Sequence, residues 1–147
     1  MLSVSTQRKN GVMKDTARNS KDQKAFVVHI VDGQNVDKIN ITSASLPANV
    51  SEIGKADLSL AESEVISVPG IKEAKVRFEC TLEHSLELGE KPSIGTDLLI
   101  GKIVRFHIDE EIYENGRINQ QTLGAVSRLA GSNYAKIGDV FSIERPQ

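Results

Sequence analysis

The hexapeptide Lys14-Asp15-Thr16-Ala17-Arg18-Asn19 brings a cation, a hydroxyl and an amide together where a helix should begin. That combination suits the binding of a phosphate. Thr16 is the expected N-cap, and Ala17 to Lys24 contains neither Gly nor Pro to interrupt a helix. The first turn of a helix presents unpaired N–H groups and the positive end of its dipole, so an anion is stabilised there. Lys14 adds a point charge, while Thr16 and Asn19 add side-chain hydrogen bonds. Asp15, whose carboxylate would repel a phosphate, fits a role in turn geometry. The same residues would also make an ordinary capped surface helix, so their meaning depends on the rest of the chain.

A second polar group lies in Ser127 to Gly138, where Arg128 and Tyr134 carry donors on a glycine-punctuated segment. A C-terminal loop pinned by its tyrosine accounts for that segment equally well. His29, His84 and His107 are far apart in sequence, and His29 and His107 fall inside expected strands, where a packed or hydrogen-bonded histidine is the simpler reading. Asp109-Glu110-Glu111 with Glu114 reads as a solvated turn at a strand end rather than a cation site. Cys80, the single cysteine, sits on the apolar side of its strand and reads as an inert core thiol. Neither a Gly-x-Gly-x-x-Gly, a Gly-Lys-Ser/Thr nor a His-Glu-x-x-His motif occurs, and no residue is assignable as catalytic or metal-ligating.

Composition narrows the class. A chain of 147 residues with 39% hydrophobic and 26% charged residues is one globular domain's worth. A net charge of -2 argues against a nucleic-acid partner, and four Phe, two Tyr and no Trp offer no stacking platform for single strands. One cysteine permits no internal disulfide. No apolar run reaches membrane-spanning length, and Met1 to Asn10 lacks the apolar core of a signal peptide. The expectation is a cytoplasmic protein without a membrane partner.

The elements that must position these residues follow from periodicity. Met1 to Thr6 alternates as a strand and leads into a polar turn at Asn10-Gly11. After the helix, Ala25 to Val31 reads as a buried strand stopped by Asp32-Gly33. Asn35 to Ala48 is expected to be helical with Val36, Ile39 and Ser43 on one side, and Ser51 to Lys55 to open a short second helix. A strand is expected at Glu64 to Val68, before the Pro69-Gly70 turn. In Lys75 to Leu88, Val76, Phe78, Cys80 and Leu82 alternate with Arg77, Glu79, Thr81 and Glu83, the pattern of an antiparallel strand with one wet face. Asp97 to Ile108 is apolar on both faces, Gly89 to Thr96 connects the two strands, Asn115-Gly116 is a further turn, and Phe141 to Ile143 completes the list. The sum is an α+β, mainly antiparallel domain, a small barrel with a few helices.

Taken in order, several blocks resemble the flavin reductase-like family with its FMN-binding split barrel. They are Leu2-Ser-Val-Ser5, Lys14 to Asn19, Phe26 to Val31, Phe78-Glu-Cys80, Ile100 to Asp109, and Arg128 to Gly138. The resemblance implies a split β-barrel that forms a homodimer and binds FMN near the subunit interface. It implies NAD(P)H as hydride donor and, for several members, a flavin-dependent monooxygenase as recipient of the reduced flavin. Lys14, Asp15, Thr16 and Asn19 match the family's flavin-phosphate segment, and Arg128 and Tyr134 are placed at the flavin or nicotinamide face. His29 stands where the family often has Asn, and Ala130 replaces a common Gly before Gly131. Family members normally carry several strands before the one at Met1 to Thr6, so residues 1–147 are expected to form the domain without its first strands. The alternatives to an active reductase are an FMN-binding module without turnover and a truncated, inactive remnant.

Overall fold

The computed structural model describes residues 1–44, 46–47, 50–89 and 95–146. Its centre is a four-stranded antiparallel sheet in the order β1-β6-β5-β2. β5 (Val76–Leu88) and β6 (Thr96–Ile108) form a long ribbon in register from Val76↔Ile108 to Leu88↔Thr96. β1 (Leu2–Gln7) pairs with β6 from Leu2↔Gly101 to Gln7↔Thr96, and β2 (Ala25–His29) pairs with β5 from Ala25↔Thr81 to His29↔Arg77. The outer strands therefore cover opposite halves of the ribbon. Register shifts at Glu79/Cys80 and Leu82/His84 bend it, as bulges do. This is the expected α+β, mainly antiparallel architecture.

The sheet closes tightly at Gly101. A Cβ there would stand 2.5 Å from Cζ of Phe26 and 3.2 Å from Cβ of Cys80, so the missing side chain lets Phe26 lie across β6. Cys80 beside it is fully buried, and burial pushes its thiol pKa up, as expected for an inert core thiol. The turn at Asn10-Gly11 forms as read: both residues have positive φ, and Lys9 and Val12 pair across them. The Asn115-Gly116 turn does the same between β7 (Tyr113–Glu114) and β8 (Arg117–Ile118).

A second apolar cluster joins Ala56, Leu58 and Ile71 with Ile39 and Ile53. It unites α2 (Val36–Ile41) and α3 (Glu52–Lys55) with the small pair β3 (Leu60–Ala61) and β4 (Gly70–Ile71). α2 is shorter than the expected 35–48 helix. Thr42 and Ser43 turn their hydroxyls onto the carbonyls of Ile39 and Asn40, each at 2.7 Å, and so compete with continuation of the helix. The expected helical positions Ser45 and Ala48, and Pro92 in the β5–β6 connection, lie outside the described residues.

Two expected strands do not form. Residues 64–68 run as a loop because the amides of Glu64, Val65 and Ile66 donate to the carboxylate of Glu79 instead of to a neighbouring strand. Residues 141–143 pair with no strand among the described residues, and Phe141 and Ile143 stand 80% and 81% exposed. A 3-10 turn (Glu110–Ile112) and α4 (Gln120–Leu123) lead to a hairpin of β9 (Val126–Arg128) and β10 (Tyr134–Lys136), where the sequence suggested only a pinned loop. Among the described residues, no helix is long and apolar enough to cross a membrane.

Candidate functional site

The helix α1 (Asp15–Gln23) begins one residue after Lys14, which is extended at φ -71° and ψ 155° and occupies the N-cap position. This corrects the expected cap: Thr16 lies inside the first turn, and the N-cap residue Lys14 makes no side-chain capping bond among the described residues. The polypeptide turns helical earlier because the Lys14 carbonyl already accepts from the Arg18 amide at 3.1 Å. The consequence is an uncapped helix start beside a lysine ammonium. Lys14 forms no ion pair among the described residues, and Lys14, Asp15, Thr16 and Asn19 are all exposed. Asp15 binds Arg18 at 2.9 Å, one turn along, which holds its carboxylate against a cation.

Burial of Ala17 and Ser20 seats α1 on the sheet, and the Ser20 hydroxyl returns to the Thr16 carbonyl at 2.7 Å. A charged cluster fixes the other end. Lys21 reaches Oδ1 of Asp97 at 3.1 Å, and Arg8 grips the same carboxylate with Nε and Nη2, each at 2.9 Å. Arg8 also pairs with Glu87. Asp97 has no exposed surface, and its hydrogen bonds from Arg8 first, then Lys21, hold its pKa below the usual carboxylate range. The cluster ties β1, β5, β6 and α1 together, so the helix start is carried on a braced support.

Asp15 and Asn19, four residues apart on α1, form one wall of a groove of about 370 Å³. Leu46, Pro47, Val50 and Ile53 contribute apolar surface to the same groove, and Ser51 and Glu52 add polar groups beside them. A polar helix start bordering a partly apolar wall can take a ligand with a charged end and a flat body.

Arg128 and Tyr134 come together as directly paired residues of the β9–β10 hairpin. Tyr134 Oη approaches Oδ1 of Asn40 on α2 at 3.2 Å, and Arg128 Nη2 donates to the Gly131 carbonyl at 3.5 Å. No hydrogen bond or ion pair among the described residues links this hairpin with α1. The two groups expected from sequence are thus each assembled but not joined to one another.

Sequence reasoning missed Glu79. Expected on a wet face, it is fully buried. Its carboxylate accepts from three loop amides at 2.7–3.1 Å and from His107 Nε2 at 2.6 Å. Those bonds outweigh the opposing effect of burial and lower its pKa to about 2. The available signal was the pairing of two long strands that places Glu79 beside the other strand's Arg105 and His107. His29 is a hydrogen-bonded strand histidine, as expected: its Nε2 accepts the Ile71 amide at 2.9 Å. Burial, aided by the charge of Arg77, lowers its pKa to about 4, so it is neutral. Asp109 caps the 3-10 turn by accepting from the Glu111 amide, which fits the reading of that acidic run as a turn.

The comparisons with known proteins agree on one family. The profile of the flavin reductase-like domain matches residues 1–124. An uncharacterised Bacillus subtilis protein, YwrF, is 48% identical over 99% of this chain and 73% of its own length. The crystal structure of nitrilotriacetate monooxygenase component B from Bacillus cereus is 55% identical, with a TM-score of 0.92 over 96% of this chain and 70% of that one. The flavoredoxin of Desulfovibrio vulgaris, 16% identical, shares the fold with a TM-score of 0.77 over 95% of this chain and 72% of that one. Profile, relatives and fold converge, and this chain belongs to the flavin reductase-like domain family.

Proposed function

We propose that the chain binds FMN with the phosphate at the start of α1 and acts as a flavin reductase that draws hydride from NAD(P)H. The observation that carries this reading is the first turn of α1, uncapped among the described residues, beside a Lys14 ammonium that forms no ion pair among them. Main-chain N–H groups at a helix start, next to a lysine ammonium, fit a phosphate dianion. Thr16 and Asn19 add donors from the same exposed turn, and Asp15 shapes it while its charge is held by Arg18. The apolar wall of Leu46, Pro47, Val50 and Ile53 would take the flat ring system. Bound flavin would supply two-electron chemistry, accepting hydride from the nicotinamide and passing electrons on. The chain's own part is binding and orientation, with no side-chain acid or base required. Arg128 and Tyr134, paired on the hairpin, are proposed for the outer face of the flavin or nicotinamide.

The resemblance to a monooxygenase component B at 55% identity supports a flavin-dependent monooxygenase as the acceptor of reduced flavin. Exposed Leu86, Leu88 and Phe106 on the central ribbon support a homodimer as the working form. Titration of FMN fluorescence against the protein tests the site, and NAD(P)H oxidation with added FMN tests turnover. Saturable binding with no oxidation would instead identify a flavin-binding module.

A further inference from the structure

Residues 62–69, between β3 and β4, lie against the sheet without joining it as a strand. Their apolar hold is slight: Val65 is 58% exposed, and Glu64, Ser67 and Pro69 are exposed beside it. Amide bonds to side chains of the sheet keep the segment in place. Glu79 of β5 accepts from Glu64, Val65 and Ile66 at its middle, and His29 of β2 accepts from Ile71 at its β4 end. The Ser63 hydroxyl donates to the Val68 carbonyl at 2.6 Å and closes the segment on itself. Gly70 permits the close approach at the β4 end, where a Cβ would stand 3.4 Å from His29 Nε2 and 3.0 Å from Cδ of Arg77.

Both acceptors work in one protonation state only. A protonated Glu79 loses its charge, and a protonated imidazole carries two N–H donors and no acceptor. A charged His29 would therefore aim an N–H at the Ile71 amide. The charged groups around the two acceptors differ. His29 stands opposite Arg77 in the β2–β5 register and has no carboxylate partner among the described residues. Glu79 stands opposite Arg105 and is bonded to His107 Nε2 at 2.6 Å. Glu64 of the segment pairs with Arg105 at 2.6 Å and lies 3.9 Å from His107 Nδ1. Burial, then the charge of Arg77, lowers the His29 pKa from 6.5 to about 4, so its bond is present above pH 6.5 and is lost as pH falls toward 4. The bonds to Glu79 outweigh its burial and lower its pKa from 4.5 to about 2, so its hold is lost only in the window from 4.5 to 2.

We propose that residues 62–71 form a strap that acid peels from the sheet in order. The backbone at 70–71 opens first, residues 64–66 follow, and β1 stays paired with β6 through the first stage. The Ile71 side chain remains in its cluster with Ala56 and Leu58, which confines that stage to the backbone.

The test is amide hydrogen exchange of the full chain, read residue by residue and corrected for intrinsic pH dependence, in wild type, His29→Gln and Glu79→Gln. The expected result is that Ile71 loses protection about tenfold or more as pH falls from 6.5 to 4. Glu64, Val65 and Ile66 keep theirs until the window from 4.5 to 2. Leu99, which pairs with Val4 and Ser85, stays protected through the upper window. His29→Gln supplies an amide oxygen that does not titrate and should abolish the Ile71 loss. Glu79→Gln should expose 64–66 at neutral pH and leave the pH dependence at Ile71 in place. Unchanged protection of Ile71 across the upper window, or the same loss in His29→Gln, overturns the proposal. Simultaneous loss at Ile71, residues 64–66 and Leu99 also overturns it, because that is global unfolding. Exposure of Ile71 by Glu79→Gln at neutral pH refutes the order of release. If Glu79→Gln fails to fold, wild type and His29→Gln still decide the outcome.

Discussion

Glu79 takes the amides of Glu64, Val65 and Ile66 together with His107 on a carboxylate that has no exposed surface, while His29 accepts one amide through a neutral ring. Both groups make stability depend on acid, in different windows. His29 is lowered from 6.5 to about 4, so the folded state resists protonation that the unfolded chain accepts. Stability present above pH 6.5 is lost as pH falls toward 4. Glu79 is lowered from 4.5 to about 2, and its contribution, present above pH 4.5, is lost as pH falls toward 2. A melting-temperature profile should therefore decline in two steps, and His29→Gln should remove the upper one. An unchanged decline between pH 6.5 and 4 in that variant would refute the assignment to His29.

Elements depend on a few close contacts between these strands. Gly101→Ala would drive a methyl into the Phe26 ring and should destabilise the fold by about 1–3 kcal/mol, read by denaturant unfolding. Asp97→Ala would leave Arg8 and Lys21 without their shared carboxylate and should cost about 3–5 kcal/mol. It should also weaken FMN binding, because α1 loses its brace; unfolding curves and FMN titration on the same sample check both effects. The long strands, α1, α3 and the Asn-Gly turns were legible in the sequence because periodicity and turn chemistry are local. The end of α2 was not, since the hydroxyls of Thr42 and Ser43 bond to its own carbonyls rather than extend it. Residues 64–68 have a strand-like composition, but their amides answer to Glu79, a residue on another element that alternation alone assigns to solvent. The helix start itself was legible, and only its cap was displaced, from Thr16 to Lys14.

At the scale of the whole molecule, the braced sheet presents two separate regions: the polar start of α1 beside an apolar wall, and exposed apolar residues on the central ribbon. Sedimentation velocity should show a dimer at micromolar concentration, and Phe106→Lys should shift it toward monomer by placing charge on an exposed apolar site. A monomeric wild type would remove the dimer from the account. The central claim is flavin binding at the start of α1, and titration of FMN fluorescence with the wild-type chain and Lys14→Ala tests it most directly. Saturable quenching at micromolar protein, weakened about tenfold or more by Lys14→Ala, is the predicted result. Equal affinity in the two proteins, or no binding by folded wild type, would contradict it.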